Sequence, residues 1–332
     1  MTGAGYASSV IYFILRQNKV IVFGATGQDG ILLCNSLLKQ NLQVHAFTRS
    51  DSHNMSFLSK INVDSNFRIS SINLNSQSKI METIAEIMPD EVYNLAAQSS
   101  VGKSFELPNE TMQSIAMLSS YILESAKLLN SKARFFFAGS SEMFGNTYLP
   151  ANVSSPRKPL SPYAIAKDAS FNLVKLYRDT YNLNCVTGIL FNHESPYRAA
   201  EFVTHKIINA AIACVNSSSL KLRLGNLQIY RDWGWAEEYV EAIQLITRAD
   251  PLKDHIICTG RSVKLEYFVE QVFCLLNLNW QDHVLLDSSL YRPTDIIISS
   301  GSPLELNDLL GWSASADVDD VIERLIASYS NS

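Results

Sequence analysis

Tyr163 and Lys167 stand four residues apart in Ser161-Pro162-Tyr163-Ala164-Ile165-Ala166-Lys167, a stretch that reads as part of one amphipathic helix. One helical turn places both side chains on the same face. An ammonium beside a phenol favours the phenolate, which makes the pair a base for a sugar or alcohol hydroxyl near neutral pH. Tyrosine and lysine at this spacing also occur on solvated helix faces, so the reading depends on what else the chain brings to them.

Two other segments supply that context. Val20-Ile21-Val22-Phe23 runs into Gly24-Ala25-Thr26-Gly27-Gln28-Asp29-Gly30, a G-x-x-G-x-x-G turn that opens a helix. Gly24 permits the tight turn, Gly27 lets backbone approach a pyrophosphate and Gly30 allows close helix packing, while the helix N-terminus offers amide donors. About twenty residues on, the next apolar run ends in Thr48-Arg49-Ser50, where an NAD-preferring site would present a carboxylate. Arg49 suits an adenosine 2′-phosphate, so the expected cofactor is NADP. The second segment, Phe135-Phe136-Phe137-Ala138-Gly139-Ser140-Ser141-Glu142, reads as a buried strand whose end carries two hydroxyls and a carboxylate. In an open parallel sheet that end faces the same crevice as the glycine loop. Alone, Glu142 reads as a loop carboxylate; with Tyr163 and Lys167 following about twenty residues later it reads as a catalyst.

The elements that must position these groups alternate regularly. Strand-like runs span Lys19 to Phe23, Gln43 to Phe47, Phe67 to Ile72, Glu91 to Ala97, Arg134 to Ala138 and Cys185 to Leu190. Helical patterns lie between them, at about 28–39, 77–88, 108–130 and 163–181. That rhythm predicts an α/β fold with a doubly wound parallel sheet of Rossmann type and right-handed crossovers. Beyond Asn192 it breaks into helices and short strands such as Lys221 to Leu224, so a smaller mixed C-terminal lobe is expected over the cleft. The expected division is an extension at 1–18, a dinucleotide-binding domain at 19–191 and a mainly substrate-binding lobe at 192–332, the chain weaving between lobes.

With 332 residues, a net charge of −5 and no Lys/Arg cluster, the chain offers little to nucleic acid or an anionic membrane. The apolar run Val10 to Leu15 is too short to cross a membrane and lacks the basic leader of a secretory signal. Cys34, Cys185, Cys214, Cys258 and Cys274 are scattered and read as buried thiols in a reducing, cytoplasmic setting. The six histidines have no paired ligand spacing, so no metal is expected.

On these segments the chain resembles the extended short-chain dehydrogenase/reductase family and, within it, the GDP-mannose 4,6-dehydratases, from about Lys19 to Tyr329. The glycine loop and Tyr-Lys pair carry only the broad likeness. Asn192-His193-Glu194-Ser195-Pro196 and Arg231-Asp232-Trp233-Gly234 are narrower, as is the run from Pro89 to Ser99. The resemblance implies a redox-neutral reaction on a GDP-linked sugar. Tyr163, with Lys167 and Ser140, would take the C4 hydroxyl proton as hydride leaves for NADP. Glu142 would then remove the C5 proton and help expel the C6 hydroxyl. It further implies cofactor contacts from Gly24, Thr26, Gly27, Gln28, Asp29, Gly30, Arg49, Asn73, Leu74, Leu95, Ala96, Ala97 and His193. Substrate contacts would come from Ser99, Asn192, Lys206, Leu224, Gly225, Arg231, Arg292 and Asp295.

The chain also departs from that pattern. Asn73 replaces an aspartate expected against the adenine, Tyr197 stands where an arginine is expected with Arg198 next, and the arginine-rich segment near Arg49 is thin. A homodimer and a homotetramer are therefore both expected partners. Alternative readings are a GDP-heptose 4,6-dehydratase, a GDP-4-keto-6-deoxymannose reductase and a cofactor-binding regulator without chemistry.

Overall fold

The computed structural model describes residues 17–49, 57–217 and 219–330. The apolar run at 10–15 and Ser50 lie outside them. Seven strands form one parallel sheet: β1 (Lys19–Phe23), β2 (Gln43–Thr48), β3 (Phe67–Ser71), β4 (Glu91–Asn94), β5 (Arg134–Ser140), β6 (Cys185–Leu190) and β10 (His255–Ile257). Their spatial order is β10-β6-β5-β4-β1-β2-β3, so the order reverses between β1 and β4. That reversal is the switch point where such sheets bind ligands.

Side chains of the strands alternate between two buried faces, as period-2 geometry requires. Val20, Val22, Tyr93, Phe136 and Val186 pack with helix α1 (Gln28–Lys39) on one face. Ile21, Phe23, Val92, Phe135 and Phe137 pack on the other against Ile80, Ile84, Leu118, Ile122 and Val174. A second core lies in the C-terminal half, where Trp233 and Trp235 of β9 (Tyr230–Trp235) meet the helices Val203–Asn216, Leu265–Leu275 and Val318–Ser330. β9 is central to a three-stranded sheet, parallel to β7 (Asn192–Glu194) and antiparallel to β11 (Ser262–Lys264). A parallel pair, β8 (Leu222–Leu224) and β12 (Val284–Leu286), completes this half. After residue 192 the chain returns to the large sheet twice: with Ala236–Arg248 and β10, and again with Leu306 and Trp312.

Three expectations need correction. The helix expected at about 108–130 is interrupted by a π turn at Gln113–Met117, between Pro108–Met112 and Leu118–Leu128. There Ser114 Oγ accepts the Gln98 amide at 3.3 Å and Ile115 packs against Tyr163, as such bulges often do near sites. β4 ends at Asn94, short of Ala97, because the next residues turn over the glycine loop. Cys274 is exposed while the other four thiols are buried. It lies on the outer face of a helix whose Leu265, Phe268, Val269, Val272 and Phe273 point inward.

The glycine loop is fixed by contact as much as by conformation. Gly24 has φ +83°, and a Cβ there would lie 2.5 Å from the Ala96 nitrogen. A Cβ on Gly30 would lie 2.3 Å from the Gly24 carbonyl oxygen. Backbone cannot yield as a flexible side chain does, so Gly30→Ala is expected to cost about 1–3 kcal/mol of stability. A urea midpoint equal to wild type would contradict this packing.

Candidate active site

The helix Pro162–Tyr181 starts where Ser161 Oγ accepts the Ala164 amide at 3.1 Å and Pro162 takes the first turn, which needs no donor. This start brings Tyr163 and Lys167 back to the end of β5. Lys167 Nζ donates to the Ala138 carbonyl at 2.6 Å, and the Tyr163 hydroxyl hydrogen-bonds to Ser140. Ser140 Oγ also accepts the Glu142 amide, starting the short turn Ser141–Phe144 that aims Glu142 into the crevice.

In this state burial pushes the Tyr163 phenol up to about 12, against the Ser140 hydrogen bond and with Glu142 adding to the rise. The lowered phenol pKa expected from Lys167 is thus not found. The ammonium points at the Ala138 carbonyl, 5.8 Å from the ring centre, and burial outweighs it. Lys167 itself is brought down to about 8 by burial, with Asp29 opposing. Burial also raises the half-buried Glu142, against the charges of Arg231 and Arg292.

Those two arginines and Asp295 form the far end of the crevice. Arg231 is buried, donates to the Tyr230 and Ile296 carbonyls at 2.9 and 2.8 Å, and lies 3.7 Å from Asp295. Asp295 Oδ1 is buried without a hydrogen-bond partner. Arg292 is exposed beside them, and the Leu224–Gly225 turn packs against Leu290 and Tyr291.

At the other end, Leu95, Ala96 and Ala97 close over Gly24. Gly27 caps α1 without a side-chain hydrogen bond, and a Cβ there would meet only the Gly24 carbonyl, at 3.5 Å. The space before that helix end is open and lined by unsatisfied amides, which fits a dinucleotide pyrophosphate; Thr26 is half-buried beside it. Arg49, Asn73 and Leu74 line an adjacent cleft of about 310 Å³ with Ser71, Ile72 and Asn75. Asn73 Oδ1 accepts the Asn75 amide at 3.0 Å, so the amide that stands in for a carboxylate also braces its own turn.

The glycine loop and β7 are bound together. His193 Nε2 lies 2.9 Å from Asp29 Oδ1 and Nδ1 lies 2.7 Å from the Phe191 carbonyl. Both partners are acceptors once Asp29 is ionised, so both ring nitrogens donate and the ring is an imidazolium. Burial opposes both charges, yet their attraction prevails: Asp29 is lowered to about 2 and His193 is raised. The Tyr239 ring stacks on His193 at 4.6 Å.

Ser99 and Lys206 are exposed side chains outside this buried cluster, and Asn192 is half-buried on β7. Arg198, which appeared in the sequence only as a departure, is a site residue. Its guanidinium sits over Phe202 at 3.8 Å, its Nε is buried without a hydrogen-bond partner, and its charge acts on Tyr163, Asp29 and His193. An arginine two residues beyond Pro196 was the available signal. Among the described residues no group of three or more His, Cys, Asp or Glu is placed to hold a metal, and no helix is long and apolar enough to cross a membrane.

A parallel sheet with this glycine turn, and a Ser-Tyr-Lys set at its edge, defines an extended short-chain dehydrogenase/reductase. The dTDP-glucose 4,6-dehydratase of Bacillus anthracis, solved with NAD, has that architecture: TM-score 0.83 at 16% identity, over 95% of this chain and 97% of that one. Thermus thermophilus UDP-glucose 4-epimerase, also with NAD, aligns with TM-score 0.79 at 20% identity, over 92% and 98%. The family model described as GDP-mannose 4,6 dehydratase matches residues 21–325, and the chain belongs to that family. It is 37% identical to GDP-mannose 4,6 dehydratase 1 of Arabidopsis thaliana over 94% of this chain and 90% of that protein. It is 32% identical to the Homo sapiens GDP-mannose 4,6 dehydratase over 93% and 91%.

The charge assignment at β7 gives a pH signature. Asp29's stabilisation, about 2 kcal/mol, is present above its unfolded pKa of 3.8 and lost as pH falls through about 2. His193's is present below 6.5 and lost as pH rises through its elevated folded value. The stability gap between wild type and Asp29→Asn, read from urea unfolding, should therefore narrow from pH 6 to pH 9. A gap that stays constant as pH rises would contradict a titrating imidazolium at this position.

Proposed function

We propose that the protein converts GDP-mannose into GDP-4-keto-6-deoxymannose by an internal 4,6-dehydration, with a bound nicotinamide cofactor that is unchanged overall. The observation that carries this reading is the meeting of Ser140, Tyr163 and Glu142 between a dinucleotide crescent and a cationic end suited to a diphosphate. Relatives of that name and near-equal length support it.

Gly24–Gly30 and Leu95–Ala97 would hold the cofactor, with His193 fixing the loop through Asp29, and when bound the cofactor would supply reversible storage for one hydride. The chain's own residues handle the protons. Ser140 positions the C4 oxygen, and Tyr163 takes the C4 hydroxyl proton while Lys167 and Arg198 supply positive charge nearby. A ketone at C4 acidifies the C5 proton, which Glu142 removes. The carboxyl protonated in that step can then protonate the departing C6 hydroxyl, and burial of Glu142 favours this protonated form. Arg231 and Arg292 offer planar forks to the diphosphate, and the unpartnered Asp295 Oδ1 is an acceptor for a ligand hydroxyl.

The reading for the cofactor is NADP, because exposed Arg49 lines the cleft formed with Ser71 to Asn75 and a guanidinium there suits an adenosine 2′-phosphate. A homodimer or homotetramer is favoured by exposed Ile165 and Leu176, about three turns apart on one helix, beside exposed Met117 and Leu128 on the next. The four buried free thiols suit a reducing, cytoplasmic setting.

With GDP-mannose and catalytic NADP⁺ the protein should release water and form the keto-sugar without net NADPH. Stoichiometric NADPH consumption would contradict the assignment. Glu142→Gln should lower product formation by about 10²-fold or more while reduced cofactor builds up on the enzyme. Wild-type turnover by that variant would remove Glu142 from the reaction. Arg49→Ala should weaken NADP⁺ binding at least about tenfold and leave NAD⁺ unaffected; equal weakening of both would contradict the 2′-phosphate role.

A further inference from the structure

We propose that Ser195 is a positioning residue that acts through Gln28 to make dinucleotide and nucleotide-sugar binding cooperative. The proposal rests on the assigned activity, which needs both ligands in one crevice. It is carried by the way the glycine loop is tied to the strand on the sugar side of the crevice.

Gln28 is the first residue of α1 and is buried. Its Oε1 accepts Ser195 Oγ at 2.9 Å, and its Nε2 donates to the His193 carbonyl at 3.1 Å and to Asp29 Oδ1 at 3.2 Å. Ser195 has no solvent exposure, and its Oγ also accepts the Tyr197 amide at 3.2 Å. The Gln28 side chain is thus committed to the 193–195 backbone and hydroxyl, while its backbone amide stays at the open helix end. A buried amide and hydroxyl of this kind have no alternative partners in water, so the loop and the strand move together or break bonds that nothing replaces.

From Ser195 the connection continues in both directions. Asn192 and His193 of β7 pair with Trp233 and Gly234 of β9. Arg231 lies two residues before Trp233 and so on the same side of that strand. Following Ser195, the Arg198 amide donates to the Ser195 carbonyl at 3.0 Å, and the Arg198 charge reaches Tyr163 and Asp29. A pyrophosphate that orders the glycine loop therefore orders the strand flanking the sugar-diphosphate cations, and the reverse holds by thermodynamic necessity.

The test is titration calorimetry of NADP⁺ and of GDP, each alone and with the other saturating. In wild type each ligand should tighten the other by the same factor, about tenfold. Ser195→Ala should leave the separate affinities within about threefold while the mutual factor falls to near one. Ser195→Thr, which keeps the hydroxyl, should retain the factor. Gln28→Met should abolish it, and the double variant Ser195→Ala/Gln28→Met should lose no more than either single change. Undiminished coupling in Ser195→Ala, or independent binding of both ligands in wild type, would overturn the clasp and leave the assigned function standing. Failure of wild type to bind NADP⁺ or GDP at all would overturn that function, and the clasp with it.

Discussion

Parallel alignment of β1, β4 and β5 is the constraint on which the site depends. Their register pairs Phe23 with Asn94 and Asn94 with Phe137, so the three strands release the chain at one edge. The segments leaving these strands are then forced into the same crevice: the glycine loop, the 95–97 turn and the Ser140–Glu142 corner. The near contact of Gly24 with Ala96 shows how little room that alignment leaves. Tyr163 and Lys167 complete the arrangement from a helix anchored to the same strand end by the Ala138 carbonyl and the Ser140 hydroxyl.

Within that crevice two of the charged side chains face a partner of opposite sign. Asp29 faces the His193 imidazolium, and Glu142 faces Arg231, with Arg292 and Asp295 beside them. Burying such groups is costly and their mutual attraction only partly offsets it, so these pairs serve position and protonation state more than net stability. The shifts agree with that division. Asp29 is held ionised where a fixed charge orients a ring, while Glu142 is raised where a group must both take and give a proton. Lys167, brought down to about 8, lies close enough to neutrality to respond to a neighbouring proton transfer.

Much of this was legible in the chain because local chemistry and global fold agree. Apolar runs of strand length alternate with capped helices, and Gly24, Gly27 and Gly30 sit where backbone must approach backbone or ligand. The parts that were not legible are those set by distant contacts. His255 to Ile257 is a three-residue strand that nothing local distinguishes; it joins the large sheet only because β6 presents an edge. The π turn at Gln113–Met117 has no sequence mark, since it arises from where Ser114 and Ile115 must reach. The phenol of Tyr163 was expected to feel mainly Lys167, but burial depends on residues remote in sequence, and it dominates. Arg198 and Ser195 lie in and just after a recognisable run that does not reveal that the charge of one acts on Tyr163 and Asp29 and that the other is bonded to Gln28 of the glycine loop.

In the proposed reaction one pyranose ring meets the phenol, the carboxyl and the hydride-storing cofactor without leaving the crevice. The decisive measurement is conversion of GDP-mannose carrying deuterium at C4, followed by NMR of the product. Deuterium is expected at C6 of the same molecule, with a solvent-derived hydrogen at C5. Deuterium lost to solvent, or transferred between labelled and unlabelled sugar molecules, would contradict it.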